Sequence, residues 1–350
     1  MTLLKPAATL ALLVLATAVH ANSAYLEQVG NDNQGTIDQT GAGSYARLYQ
    51  QGEGLNGRIA QDVTGHSAFV EQQAVIDSTV SIEQQGGFNT ASVYQRDTQG
   101  ASAGIFQDGS ENTVTLSQAS SDYPGGGGQE ATLTQVGSQN DYRIEQNGPG
   151  NSVTAASYGS LNTVQVFQDG LSSQAVITQT GLGNTVSVTQ DFIGIATLAQ
   201  TGDDNRIDLT QGGRDPSGAT LTQTGNDNVA SAATWGRFNH LDFEQTGNAN
   251  RLDGTVDARD STLSGFSRGD DNVVIARVSG VLSDGLVEQT GSGNTADLNV
   301  DGYEVSARIT QTGDTNQAVL AIQGSYDFGA ASSASIVQAG NGNVARITQR

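Results

Sequence analysis

The chain has 350 residues, with 45 Gly, 4 Pro, no Cys and only 15 Lys+Arg against 36 Asp+Glu, a formal net charge of −21. Phosphate backbones need clustered Lys and Arg, so this balance excludes nucleic acid as a partner, and without Cys there is no disulfide framework. Apolar residues make up 36%, but they alternate instead of thinning into a disordered polar tract, which predicts a regular architecture with a thin core.

Residues 1–21 read as an export signal peptide. Lys5 gives a positive start, Ala7 to Ala18 is almost wholly apolar, and Val19-His20-Ala21 resembles a small-x-small cleavage site. The apolar run is short of the ~20 residues that a spanning helix needs, so the mature chain is expected to begin near Asn22 with no membrane-inserted segment.

From Gln28 onward the sequence is a repeat array covering the rest of 22–350. Gln recurs about every 11 residues, and the filling between is Gln-x-Gly-x-x-Asn-x-[Ala/Val]-x-[Val/Ile/Leu]-x-Gln. The pattern is seen in QVGNDNQGTIDQ (Gln28, Gly30, Asn33, Gln39), QQGGFNTASVYQ (Gln84, Gly86, Asn89, Gln95) and QDGSENTVTLSQ (Gln107, Gly109, Asn112, Gln118). QVGSQNDYRIEQ follows with Gln135, Gly137, Asn140 and Gln146, and QAGNGNVARITQ closes the array with Gln338, Gly340, Asn343 and Gln349. In mid-chain the same phase passes through Asn151, Asn162, Gln168, Gln179, Gly181, Asn184, Gln190, Gln200, Gly202, Asn205 and Gln211. Extra residues near 119–129 and 324–333 are expected to be loops. Between about 250 and 289 the spacing persists while Val256, Ser267 and Val278 replace Gln, so the fold is expected to continue.

Asn, the small apolar residue, the larger apolar residue and Gln stand two apart, which on an extended strand puts all four on one face. The pattern predicts a strand of about six residues followed by a turn in which glycines such as Gly181 and Gly183 take positive φ. Two such halves return the chain beneath its start. The expected fold is all-β: a cross-β solenoid with two strands per ~22-residue rung, about 14 rungs and roughly 65–70 Å long.

Inward amides are normally costly. In a stack each lies ~4.8 Å above its copy, so the NH₂ of one donates to the carbonyl of the next, and a ladder satisfies both. The end rungs lack that neighbour. No capping helix separates the last repeat from Arg350, so both ends are expected to template a further copy.

This pattern, in an exported chain rich in Gly, Gln and Asn, resembles the curlin repeat of curli fibre subunits. The resemblance implies a bacterial extracellular functional amyloid: a secreted homopolymer at the cell surface, exported through the periplasm, serving adhesion and biofilm matrix. It implies curli-like partner subunits and a secretion and assembly machinery, with no cofactor and no enzymatic activity. Carried over to this chain, the ladder positions include Gln135 to Gln211 as named above. Two departures stand out. Only Asn22 to Glu27 precede the first repeat, and Leu55, Ser78 and Ser173 occupy Asn slots.

Other residues offer less. His66, in an Asn slot, and His240 are far apart, and GDDN at 202–205 and 269–272 reads as solvated turns, because calcium β-rolls use a nine-residue repeat. Outward charges such as Arg47, Arg143, Arg206, Arg308 and Arg346 suit gatekeeping or plain solubility, and Tyr49, Tyr94 and Phe167 are expected on the outer face. The alternative function is a soluble monomeric solenoid binding a surface such as ice or polysaccharide, suggested by outward Thr in TQT at 178–180, 222–224 and 310–312. A β-helix enzyme would need a carboxylate and Arg cluster on an inserted loop, which neither long loop supplies.

Overall fold

The computed structural model describes residues 21–120, 128–213, 215–326 and 331–350. The predicted signal peptide, apart from Ala21, lies outside them. Among the described residues there are 29 strands and no helix. Odd-numbered strands form one 15-stranded sheet and even-numbered strands a 14-stranded one, each strand pairing with the strand two further on. Every pairing is parallel, as between β13 (Thr163–Asp169) and β15 (Thr185–Asp191), where Val164 faces Val186 and Gln168 faces Gln190. The chain is therefore the expected β-solenoid, and like residues stack because the sequence period equals the rung period.

The core follows from alternation. On β15, Val186, Val188 and Gln190 are buried while Thr185, Ser187 and Thr189 are partly exposed. Ala175 and Ile177 on β14 (Gln174–Leu182) are equally buried, and the apolar residues of both sheets form one continuous cluster along the rod. Each fully buried Val or Ile contributes about 1.5–3 kcal/mol. The weak segment holds too: β21 (Arg251–Arg259), β22 (Thr262–Arg268), β23 (Val273–Val278) and β24 (Asp284–Thr290) continue the two sheets in order. Val256, Ser267 and Val278 are fully buried there.

Strand length corrects the six-residue expectation. Strands run from six residues, as in β2 (Gln34–Gln39), to ten in β5 (Ser67–Ile76). The added length is the Gln-x-Gly segment, which stays paired: Gly86 in β6 (Thr79–Gly87) faces Gly109 in β8 (Ser102–Ser110), and Gly109 faces Gly137 in β10 (Glu130–Ser138). Glycine is needed because φ at Gly181 is 124° and a Cβ there would be driven into the carbonyl oxygen of Gly202 on the next rung. The other repeat glycines, Gly30, Gly86, Gly109, Gly137, Gly202 and Gly340, share this conformation, with φ between 90° and 124°.

The sharp turn falls one step later, on the residue before the Asn slot. It is left-handed at Gly183 (φ 70°), as expected, but equally at Phe88 (58°), Leu161 (60°), Asp204 (55°) and Phe238 (56°). The extra residues near 119–129 lie between β9 (Thr113–Ala119) and β10, and those near 324–333 between β27 (Gln317–Gln323) and β28 (Ser332–Ala339). Residues 121–127 and 327–330 fall outside the described residues. Neither insertion disturbs the register, since Gln107 faces Gln135 and Gln311 faces Gln338.

Candidate functional site

Inward Gln side chains form two ladders. In the odd sheet, Gln28 donates through Nε2 to Oε1 of Gln50 at 2.7 Å. The run continues through Gln72, Gln95, Gln118, Gln146, Gln168 and Gln190 to Gln211, at 2.7–2.9 Å. In the even sheet, Gln39 donates to Gln61, Gln61 to Gln84, Gln84 to Gln107 and Gln107 to Gln135. Ser157 then takes one place and passes its hydroxyl to Gln179 at 2.8 Å. Gln200, Gln223 and Gln245 follow, Ser267 bridges to Gln289, and Gln311 and Gln338 complete the run. All these links donate toward the C-terminal end.

The second amide hydrogen crosses to the other sheet. Gln168 Nε2 lies 3.1 Å from Ser152 O, and Gln179 Nε2 is 3.1 Å from Thr163 O. Gln168 and Gln179 therefore each join consecutive rungs and close the rung itself, with both amide hydrogens used. The odd ladder ends at Gln211, whose amide turns to Ile195 O and Ser217 O. Beyond it Thr234, Val256, Val278, Val300 and Ile322 fill the Gln slot and are buried. Gln349 is a correction: it faces Ile322, not an amide. The period places it correctly, but its neighbour in the stack is apolar.

The two corners of the rung differ. At the corner entering the odd strands, Asn89, Asn112, Asn140, Asn162, Asn184 and Asn205 stack, each later Nδ2 lying 2.9–3.1 Å from the preceding Oδ1. Asn228, Asn250, Asn272, Asn294, Asn316 and Asn343 extend the stack without interruption. Each Oδ1 also accepts the next Asn backbone N–H, as from Asn184 N to Asn162 at 3.0 Å. His66 fits the same corner: its Nδ1 accepts Asn89 N–H at 3.2 Å, and Nε2 lies 2.7 Å from Asp62 O.

The other corner has no such ladder. Asn33 and Asn151 donate only to backbone carbonyls, while their Oδ1 atoms accept N–H from Leu55 and Ser173. Leu55, Ser78 and Ser173 all stand there, so these three gaps share one corner.

A further ladder runs outside the Asn stack. Asp203 Oδ1 accepts Leu182 N–H at 2.9 Å, Asn226 accepts Asp203 N–H at 2.9 Å, and Asn248 accepts Asn226 N–H at 3.0 Å. It proceeds through Asp270, Ser292, Asp314 and Asn341. The GDDN turns thus bind backbone N–H groups, with neutral residues mostly spacing the carboxylates. Sequence reading missed this role, although the Asp/Asn/Ser choice after Gly was its signal. No group of three His, Cys, Asp or Glu among the described residues could hold a metal ion.

Tyr142 departs from the small apolar residues usual in its slot. It is fully buried, and its hydroxyl donates toward Ser157 Oγ at 2.7 Å and Thr134 O at 3.0 Å. The ring thus reaches across the core to the short Ser157, which stands in a Gln slot of the even sheet. Burial pushes its phenol well above the usual tyrosine range.

At the ends these ladders meet solvent. On β1 (Ser23–Asn31) Ala24, Leu26 and Gln28 are exposed, whereas their partners Ala46, Leu48 and Gln50 are fully buried. On β29 (Val344–Gln349) the inward Ala345 and Ile347 are only half-buried and Gln349 is exposed. Chemically the rod offers repeated backbone and amide hydrogen bonding along its axis.

Residues 162–191, from Asn162 through Asp191, match the family model described as the curlin associated repeat. The match spans the three strands β13, β14 and β15, nearly three half-units, and supports a curlin-repeat assignment. Both the repeat family and the β-solenoid are structural in kind. No curated protein matches the chain.

Proposed function

We propose that this curlin-repeat chain is a secreted structural subunit that adds end to end to copies of itself, forming curli-like extracellular fibres for cell adhesion and biofilm matrix. The supporting observation is the match between the two outer strands. Both belong to the odd sheet. When the observed register is continued from β29 onto β1 of a second copy, Ala345 meets Ala24, Ile347 meets Leu26 and Gln349 meets Gln28. The Gln28 amide already donates to Gln50, which leaves its Oε1 for Gln349, in the polarity of every other link. Asn343 then meets Asn22, and Arg346 meets Tyr25, whose ring Arg47 already covers at 5.5 Å. Because the even sheet has one strand fewer, it is one strand short at the junction, and the contact is made through the odd sheet.

Such addition uses strand pairing with amide ladders as specificity, the combination that makes cross-β assemblies persistent. The test is incubation of the chain from Asn22 onward with an amyloid dye. Wild type should polymerise, Gln28→Ala and Gln349→Ala should each slow growth, and a chain that stays monomeric for days contradicts the reading.

A further inference from the structure

We infer that the outer face of the even sheet over β10, β12 (Ser152–Ser160), β14, β16 (Gly194–Thr201) and β18 (Ser217–Thr224) is a lateral docking surface for a second copy of this chain. The inference rests on the end-to-end fibre reading and extends it sideways.

Three outward columns cross these strands in register. The first holds Thr132, Thr154, Val176, Thr197 and Thr220. Next come Thr134, Ala156, Thr178, Ala199 and Thr222, and then Val136, Tyr158, Thr180, Thr201 and Thr224. All are exposed or half-buried, and none is charged. Among the described residues, no other five neighbouring strands of either sheet lack charge at these positions. The block is bounded by Asp108 on β8, by Asp242 and Glu244 on β20 (His240–Thr246), and by Glu130 at its margin.

Charge selects the occupant. With a net charge of −21, two rods repel wherever acidic faces meet, and this block is where they approach without burying an unpaired carboxylate. Small stacked Thr and Ala side chains suit the dry interdigitation of paired β-sheets. Tyr158 stands above the surface at 48% exposure, which interrupts a flat match to a crystalline ligand, while Ala156 and Ala199 leave room for the ring of a facing copy. The face covers about 350–400 Å² from strand spacing and rise, roughly half of the ~800 Å² per partner in a standard interface. Two single rods therefore do not stay together, but a fibre repeating the face about every 70 Å does, through multivalency.

The test compares wild type with Thr154→Glu/Thr178→Glu/Thr222→Glu and with a control adding equal charge to the odd sheet, Gln165→Glu/Thr189→Glu/Thr210→Glu. Filament width is read by electron microscopy and growth by dye fluorescence. Wild type and control should give paired filaments, and the Thr variant single filaments at an unchanged growth rate. Single wild-type filaments, or paired Thr-variant filaments, overturn the inference while leaving end-to-end assembly intact. Ice-growth inhibition or retention on insoluble polysaccharide that the Thr variant loses assigns the face to those ligands and equally overturns it. Absence of any wild-type polymer removes the fibre reading and this inference together.

Discussion

Gln168 Nε2 donates to Gln190 Oε1 at 2.8 Å, 22 residues further along the chain, and gives its remaining hydrogen to Ser152 O at 3.1 Å on the opposite sheet. Both amides are fully buried. One side chain thus fixes rung to rung and sheet to sheet, and its removal strands several buried groups at once.

Gln168→Ala should destabilise the chain by about 2–4 kcal/mol, through a cavity and unpaired buried polar groups. Gln211→Val should cost less, about 1–2 kcal/mol, because the slots beyond it are already apolar and mainly the Gln190 donor loses a partner. Urea unfolding of the two variants checks the order. Equal losses would mean that backbone pairing, not the ladder, sets the stability.

The corners should differ likewise. Asn162→Ala removes a member of the continuous stack, where Oδ1 accepts both the backbone N–H and the Nδ2 of Asn184. Ser261→Ala, at the other corner, removes a hydroxyl that accepts Ser283 N–H and lies 2.7 Å from Gly280 O. The Asn variant is expected to be the weaker by about 1 kcal/mol or more in thermal or urea unfolding.

Leu161 holds φ of 60° and is 52% exposed. A left-handed conformation costs an L-residue about 1–2 kcal/mol, part of which Gly forfeits in unfolded-chain entropy. Leu161→Gly should therefore stabilise the chain by about 0.5–1 kcal/mol. A lowered unfolding midpoint would show that the Leu side chain contributes more than the strain it bears.

These turns also mark where the sequence stops being legible. Alternation and the 11-residue period specify strands, inward faces and the stacking of Gln on Gln, because each is periodic. The left-handed turn was readable at Gly183 but not at Phe88, Leu161 or Phe238, whose side chains advertise no such backbone. The spacing of Gln349 was legible; the apolar run of Val256, Val278, Val300 and Ile322 in its stack showed only once the two half-units were assigned to separate sheets. For the same reason the gaps at Leu55, Ser78 and Ser173 looked scattered, although they share one corner. Tyr142 and Ser157 compensate each other across the core, a relationship between different slots that no single repeat displays.

Tyr142 gives the array a dependence on alkaline pH. Its phenol stays neutral in the folded rod at pH values where the unfolded chain, near the ordinary value of 10.0, has begun to ionise. The stabilisation is full below pH 10 and is lost as pH rises above it. Unfolding midpoints at pH 9 and pH 11 should differ more for wild type than for Tyr142→Phe, which itself costs about 1 kcal/mol by losing its hydrogen bonds.

Assembly should respond to charge. Copies carrying −21 each repel on approach, and the Debye length falls from ~30 Å at 0.01 M salt to ~8 Å at 0.15 M. Dye-monitored growth should accelerate with added salt and as pH falls toward the sequence pI of about 4.2. Growth that is fastest at low salt and neutral pH would argue against contact between like-charged copies.

The most direct measurement is X-ray diffraction from aligned polymers of the chain from Asn22 onward. If copies continue the solenoid end to end, a ~4.8 Å reflection lies along the fibre axis and a ~10 Å reflection across it. A chain that remains monomeric, or polymers whose ~4.8 Å spacing lies across the axis, would contradict end-to-end addition.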